Sequence, residues 1–426
     1  MTLLVPLRAA AALAAEVGPK AATLARLAAA GLPVPDGVCL TAAAYRRQLA
    51  AAGLEAEAAC VGTATDERTA RRHALAVRLG LARAPLDPAL AEALVAGWRA
   101  LVGPTGGLVA VRSSALLEDT PRTSFAGQFE TFLGVGDEAE LVTTVRACWA
   151  ALWATRALRY MRAHGVVPGA TAMAVLVQRL VQARAAGGAL SRTAGDEVVI
   201  TGTWGLGAAL AQGEVVPDRF VLSRTGALLA VEPGRKDRAV RCALGAGPRP
   251  EALGPADATA PCLDAGQATA LARLVLAAEA TLGRPVEVEW ALDEGGLQIL
   301  QARPLRVEPP PAPDTLWQRH PALRGQPAGV GWGSGPARLV LREHDLEHVE
   351  PGDVLVTRVA GPALTAVLGR VAGVVAELGG STSHLAALAR ERGLPAVLGV
   401  PDATRRIPPG ALVAVDGVAG LVRWVR

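Results

Sequence analysis

Lysine is almost missing from this chain: of its 43 basic residues only Lys20 and Lys236 are lysines, and the rest are arginines. Lys and Arg differ most at phosphate contacts and at sites that tune a pKa, so each lysine calls for an explanation. Long apolar runs are missing as well, because charges or Gly and Pro interrupt every stretch before the roughly 18 residues that a membrane helix needs. The five cysteines, Cys39, Cys60, Cys148, Cys242 and Cys262, are odd in number, far apart and without CxxC spacing. That excludes a disulfide framework or a zinc knuckle and suits reduced thiols in a cytoplasmic protein. Net charge is only +4, with no basic run and no alternation of basic with aromatic residues, so a nucleic-acid surface is not indicated. No internal repeat of about 20–50 residues is present. The Ala-rich opening, Met1–Ala15, has no basic residue before its apolar stretch and is broken by Arg8. It reads as the start of a domain rather than as a signal peptide.

What is present is a globular balance. The chain has 426 residues, 51% hydrophobic and 19% charged, enough for about three domains at ~150 residues each. The sharpest change in composition is Glu308–Asp314, EPPPAPD, where Pro-rich sequence favours a semi-rigid extended hinge. Upstream, helical patterns (Ala9–Leu27, Ala43–Ala50, Leu94–Val102, Glu138–His164) alternate with strand-like runs (Leu108–Arg112, Met173–Gln178, Glu197–Thr203, Val286–Trp290, Leu297–Gln301). Downstream, the strand-like runs Asp353–Thr357, Val371–Glu377, Ala396–Val400 and Leu412–Val415 surround one clear helix, Ser383–Arg392. The fold class is therefore α+β.

The densest chemistry lies in Glu377–Val400, ELGGSTSHLAALARERGLPAVLGV. Two glycines permit a tight turn with close backbone approach, Ser381, Thr382 and Ser383 offer N-cap hydroxyls, and Gly393 with Pro395 stops the helix. This puts His384 in the first turn of a helix. There, unpaired N–H groups and the positive end of the dipole favour an anion, so an imidazole can accept a phosphoryl group that its surroundings then stabilise. A purely steric role for a helix-start His is the bland alternative. Metal binding is disfavoured because no second ligand shares its helix face.

Upstream, three segments could grip a nucleotide. VGPKAATLARLAAAGLPVPDG sets Lys20 after a Gly-Pro turn at the start of an amphipathic helix, a point charge suited to a triphosphate. VAVRSSALLEDTPRTSFAGQFETFLGV ends an apolar strand at Arg112 and continues through small hydroxyl residues to the Gly127 turn, able to fold over phosphates. VEVEWALDEGGLQILQARPL reads as a hairpin presenting Glu289, Gln301 and Arg303, with Gln301 and Arg303 on one strand face. Singly, each is also readable as surface structure.

ELGGSTSHLAALARERGLPAVLGV, with the earlier PGDVLVTR and the later VAVDGVAGLV, resembles the mobile phosphohistidine domain of the phosphoenolpyruvate-utilising enzymes. The three upstream segments, in their order and spacing, resemble the ATP-grasp domain of the phosphoenolpyruvate synthase, pyruvate phosphate dikinase and rifampin phosphotransferase family. The resemblance implies an ATP-grasp domain over 1–307, a Pro-rich hinge over 308–324 and a swivelling β/β/α phosphohistidine domain over 325–426. It further implies that His384 carries the phosphoryl group, that Lys20, Arg112 and Arg303 contact phosphates, and that Gly127 and Thr131 belong to a covering loop. Gln178 is placed near the adenine or ribose, and Glu289 and Gln301 around Mg²⁺. The expected activity is AMP-forming transfer from ATP through His384 to a small-molecule acceptor such as pyruvate or a natural product.

Two departures stand out. Gly205-Leu206-Gly207-Ala208 lacks the family's carboxylate at its last position, and a longer family segment is shortened here to Gly188-Ala189-Leu190-Ser191. Lys236, in Gly234-Arg235-Lys236, resembles a Gly-x-Lys element and is equally readable as a surface lysine. No acceptor domain is recognisable, which leaves a separate acceptor-binding subunit, as in a split phosphoenolpyruvate synthase, or an acceptor bound between the domains. A non-catalytic ATP-binding or regulatory module and an ADP-forming ligase remain as alternatives.

Overall fold

The computed structural model of the chain describes residues 2–64, 66–104, 106–118, 129, 131–243, 247–307, 322–359 and 361–425. Gly127 and most of the Pro-rich hinge, 308–321, lie outside the described residues. The architecture mixes helix and sheet and divides into two compact units. The first comprises residues 1–182, 242–249 and 298–303, and the second 183–241, 250–297 and 304–426.

The first unit is built on an antiparallel sheet in the order Leu4–Pro6, Gly37–Leu40, Met173–Arg179, Val109–Ala115, Thr131–Val135. Alternation sorts its central strands into two faces. Val109, Val111, Ala115, Met173, Val175 and Val177 enter the main hydrophobic core, together with Tyr45, Trp149 and Trp153. Register sets Arg112 opposite Leu176 and also opposite Thr131, so Arg112, Thr131 and Gln178 share the other face.

Helix boundaries differ from the periodicity: the pattern over Leu94–Val102 is the end of a longer helix, Pro88–Val102, opened by the Asp87 cap, and two further patterns are broken. The pattern over Glu138–His164 resolves into Glu138–Ala151 and Thr155–Ala163. The buried Trp149 indole, still in the first helix, donates to Met173 O (3.0 Å), and the Trp153 indole, in the intervening turn, donates to Tyr45 Oη (2.9 Å), so both buried N–H groups are satisfied. The pattern over Ala9–Leu27 becomes a 3₁₀ turn, Leu7–Leu13, and a helix, Ala14–Ala29, kinked at Gly18 with φ +73°. Pro19 cannot supply an interior N–H and so starts the straight part of that helix.

The second unit holds two sheets. One is antiparallel, in the order Val286–Asp293, Ala185–Leu190, Glu197–Trp204, Asp218–Ser223, Leu228–Glu232. The helix Ala265–Leu282 packs with it, opened by an Asp264/Gln267 capping box and closed by Gly283 in the left-handed region. The other sheet is mixed: Trp332–Val340, Val354–Thr357, Gly373–Ala376 and Ala396–Leu398 run parallel, and Leu412–Asp416 and Leu421–Val425 extend it antiparallel. Val354–Thr357 and Gly373–Ala376 are buried throughout, as parallel strands covered on both faces must be.

Gly18 is required twice over, by its positive φ and by space, because a Cβ there sits 2.6 Å from Ser114 O. We expect Gly18→Ala to cost about 2–4 kcal/mol and to lower the melting temperature visibly. Gly31→Ala, at φ +83° with nothing within 4 Å, should cost only the backbone part, about 1–2 kcal/mol.

Candidate functional site

In the first unit the Gly18 kink presses the Val17–Lys20 turn onto the Val109–Ala115 strand, where the Ser114 hydroxyl donates to Val17 O (2.9 Å). That contact aims Lys20 inward. Its ammonium donates to Ser113 O (2.6 Å) and pairs with Glu118 at 3.3 Å, both side chains being buried. Glu118 in turn accepts from Ala115 N (3.2 Å). Sequence reasoning passed over Glu118, although it stands in the quoted segment, because nothing local distinguishes it from a surface carboxylate.

Arg112, on the same strand, is buried. Its guanidinium donates to Leu300 O and to Gln301 Oε1 (3.0 Å), so the Gln298–Arg303 segment is clamped to the sheet. That segment is fixed from its other side by Ile299 N donating to Pro33 O (2.7 Å). Gln178 is buried and its amide donates to Pro35 O (2.9 Å), holding the same Leu32–Asp36 turn. The structure thus brings Arg112 and Gln301 into direct contact and ties Gln178 to the turn that supports them. Thr131 is exposed, opposite Arg112 in register, and Arg303 is half-buried two residues beyond Gln301. Gly127 lies outside the described residues.

Glu289 and His384 belong to the second unit. Glu289 lies half-buried on the Val286–Asp293 strand opposite Gly188. His384 is the first residue of the helix His384–Glu391, and the Ser383 hydroxyl caps it by accepting from Ala386 N (3.3 Å). Gly393, at φ +64°, follows the helix end. This is the geometry that the caps and the Gly-x-Pro stop implied.

The turn that carries His384 is seated on the neighbouring sheet by a set of long-range contacts. Thr382 occupies the space above Gly188, where a Cβ falls 2.5 Å from the Thr382 Cβ, and its hydroxyl meets that of Thr201. Gly379 N donates to Val215 O (3.1 Å), and Gln326 links the two sides by donating to Pro217 O (2.9 Å) while accepting from Ser381 N (3.4 Å). Arg390, buried and on the His384 helix, donates to Ser381 O and Ala328 O and pairs with Glu287 at 2.8 Å. The shortened segment Gly188–Ser191 therefore has a steric role, as the floor beneath Thr382. Ala208 begins a short helix, Ala208–Ala211, and supplies no carboxylate.

Lys236 is no surface lysine. It is fully buried, and its ammonium pairs with the equally buried Asp218. Asp218 also accepts from Gly234 N (2.7 Å) and Cys262 N (2.8 Å). Burial, reinforced by the Asp218 carboxylate, pushes the Cys262 thiol well above its ordinary range, which leaves it inert. No group of three or more His, Cys, Asp or Glu able to hold a metal occurs among the described residues, and none of their helices is long and apolar enough to cross a membrane.

Two family models match the chain. Residues 14–318 match the family described as pyruvate phosphate dikinase, AMP/ATP-binding domain, and residues 349–420 match the PEP-utilising enzyme, mobile domain. The phosphoenolpyruvate synthase of Aeropyrum pernix is 35% identical across 95% of this chain and 56% of its own length. The probable phosphoenolpyruvate synthases of Methanothermobacter thermautotrophicus and Staphylothermus marinus are 31% and 32% identical, each again across 95% of this chain, and 61% and 55% of theirs. The chain thus spans little more than half the length of these relatives.

If Lys236 serves the fold, Lys236→Met should cost about 3–5 kcal/mol by stranding the buried Asp218 charge. The Lys236→Met/Asp218→Asn double variant should lose less than the sum of the two single variants. Urea denaturation followed by tryptophan fluorescence reads both; additive losses contradict a structural pair.

Proposed function

The chain belongs to the pyruvate phosphate dikinase AMP/ATP-binding domain family, and from that premise we propose that it is an ATP-dependent, dikinase-type phosphotransferase. The observation that carries this reading is the placement of His384 at the first position of a Ser383-capped helix, inside the segment that matches the mobile domain. In this reading residues 1–307 form an ATP-grasp domain, and the domain bearing His384 swivels between ATP and an acceptor.

In the first half-reaction the imidazole of His384 attacks the β-phosphorus and the bond to the AMP oxygen breaks, so that AMP leaves and a pyrophosphoryl group stays on the imidazole; transfer of its γ-phosphoryl to water, released as phosphate, or to phosphate, released as pyrophosphate, leaves phospho-His384. Lys20, Arg112 and Arg303 balance phosphate charge. The Arg112 clamp on the Gln298–Arg303 segment means that these groups are positioned before the nucleotide arrives, the condition under which electrostatic stabilisation is strongest. Gly127 and Thr131 cover the nucleotide, and Gln178 supports the wall beside the adenine or ribose. In this reading Glu289 and Gln301, a carboxylate and an amide, would hold Mg²⁺ through hard oxygen donors, and the ion would supply neutralisation of charge on the transferring group.

In the second half-reaction phospho-His384 delivers to a small-molecule acceptor. Pyruvate is the acceptor most in keeping with relatives named phosphoenolpyruvate synthase, and a natural product is the other class. The acceptor binds between domains of this chain or on a separate subunit. The buried and half-buried cysteines and the absence of a membrane-spanning helix among the described residues suit a cytoplasmic protein.

Intact-mass and nucleotide analysis of the protein with Mg²⁺ and ATP, beside His384→Ala, tests this. One added phosphoryl group with AMP formation, both lost in the variant, is the expected result. ADP as the sole product indicates ligase chemistry, and ATP binding with neither AMP nor phosphoprotein indicates a regulatory module; either overturns the proposal.

A further inference from the structure

The second unit encloses a cavity of about 240 Å³ whose walls come from both of its sheets. One wall is the sheet holding Arg219 together with Leu190 and Val199, two members of an apolar cluster against which Leu305 packs. The other is the mobile domain, through Pro327–Val330, Ser381 and Arg390. The cavity therefore exists only while the turn that bears His384 is seated on Gly188 and Thr201.

Its polar edge has donors to spare. Ser381 is 2% exposed, and its hydroxyl has no hydrogen-bond partner among the described residues. Arg219 pairs with Glu232 through Nη1 (2.7 Å), but its buried Nε has no partner among the described residues. Leaving such groups unsatisfied is unfavourable, so an occupant carrying acceptor oxygens is favoured. Three of the arginines that line the space are paired with carboxylates outside it, Arg192 with Asp196 and Glu279, Arg219 with Glu232 and Arg390 with Glu287, and Glu197 is the carboxylate in the lining itself. The remaining wall is apolar, and an engineered cavity of roughly 150 Å³ already holds benzene.

We propose that this cavity binds a small organic carboxylate with a compact apolar body, its oxygens facing Arg219 and Ser381. A ligand that contacts both walls binds the docked state alone, so it must shift the mobile domain toward docking by its differential affinity. The proposal uses no step of the phosphoryl transfer set out above, and either reading can fail while the other stands.

The test is calorimetric titration of the full chain with benzoate, and with benzamide as the neutral control of the same shape. We expect benzoate to bind, benzamide to bind at least tenfold more weakly, and Arg219→Gln and Val330→Phe each to weaken benzoate at least tenfold without lowering the melting temperature. A T201C/T382C variant reports docking, because its disulfide forms only in the seated state, and benzoate should speed that cross-link at least twofold. Failure of benzoate to bind at millimolar concentration, equal affinity for benzamide, unchanged affinity in both cavity variants, or an unaltered cross-linking rate each overturns the proposal.

Discussion

The buried guanidinium of Arg390 is the hinge pin of the second unit. It reaches back to Ser381 O and Ala328 O within its own domain and across to Glu287 on the other sheet. A buried pair of this kind contributes little net stability, since desolvation offsets most of its Coulombic gain. Its value lies in specifying one arrangement: the charges are tolerated only when both sheets are in register. The turn carrying His384, the seat of Thr382 over Gly188 and the cavity beside Ser381 all presuppose that arrangement.

The first unit follows the same logic with Arg112 in the central role. Its guanidinium spends its donors on the Gln298–Arg303 segment, and Lys20 is held by Ser113 and Glu118. In the proposed phosphoryl transfer, cations fixed in this way would already be in place when a nucleotide arrives, and little reorganisation would accompany its binding. Lys236 shows the contrast. The same residue type, in a chain nearly free of lysine, is sealed against Asp218 and belongs to the framework.

Features set by neighbouring residues were legible in the sequence. The helix at His384 has its cap, its first turn and its stop within a dozen residues, and each lies where the local signals put it. Features that join distant residues were not. Glu287 and Arg390 are 103 positions apart, and no periodicity links them. Glu118 looks like any loop carboxylate until the strand beside it brings Lys20 within reach. The pattern over Glu138–His164 reads as one helix because helical periodicity survives the short turn between its two helices. Gly188 gains its meaning from Thr382, which lies far along the chain.

The proposed transfer depends on the seat of the His384 turn over Gly188, and single-turnover formation of phosphohistidine in Gly188→Ala tests it most directly. A methyl group there occupies the space that Thr382 fills, while leaving Lys20, Arg112 and His384 untouched. The account predicts phosphohistidine formation slowed at least tenfold, with ATP binding as in the parent. Formation at the parental rate contradicts it.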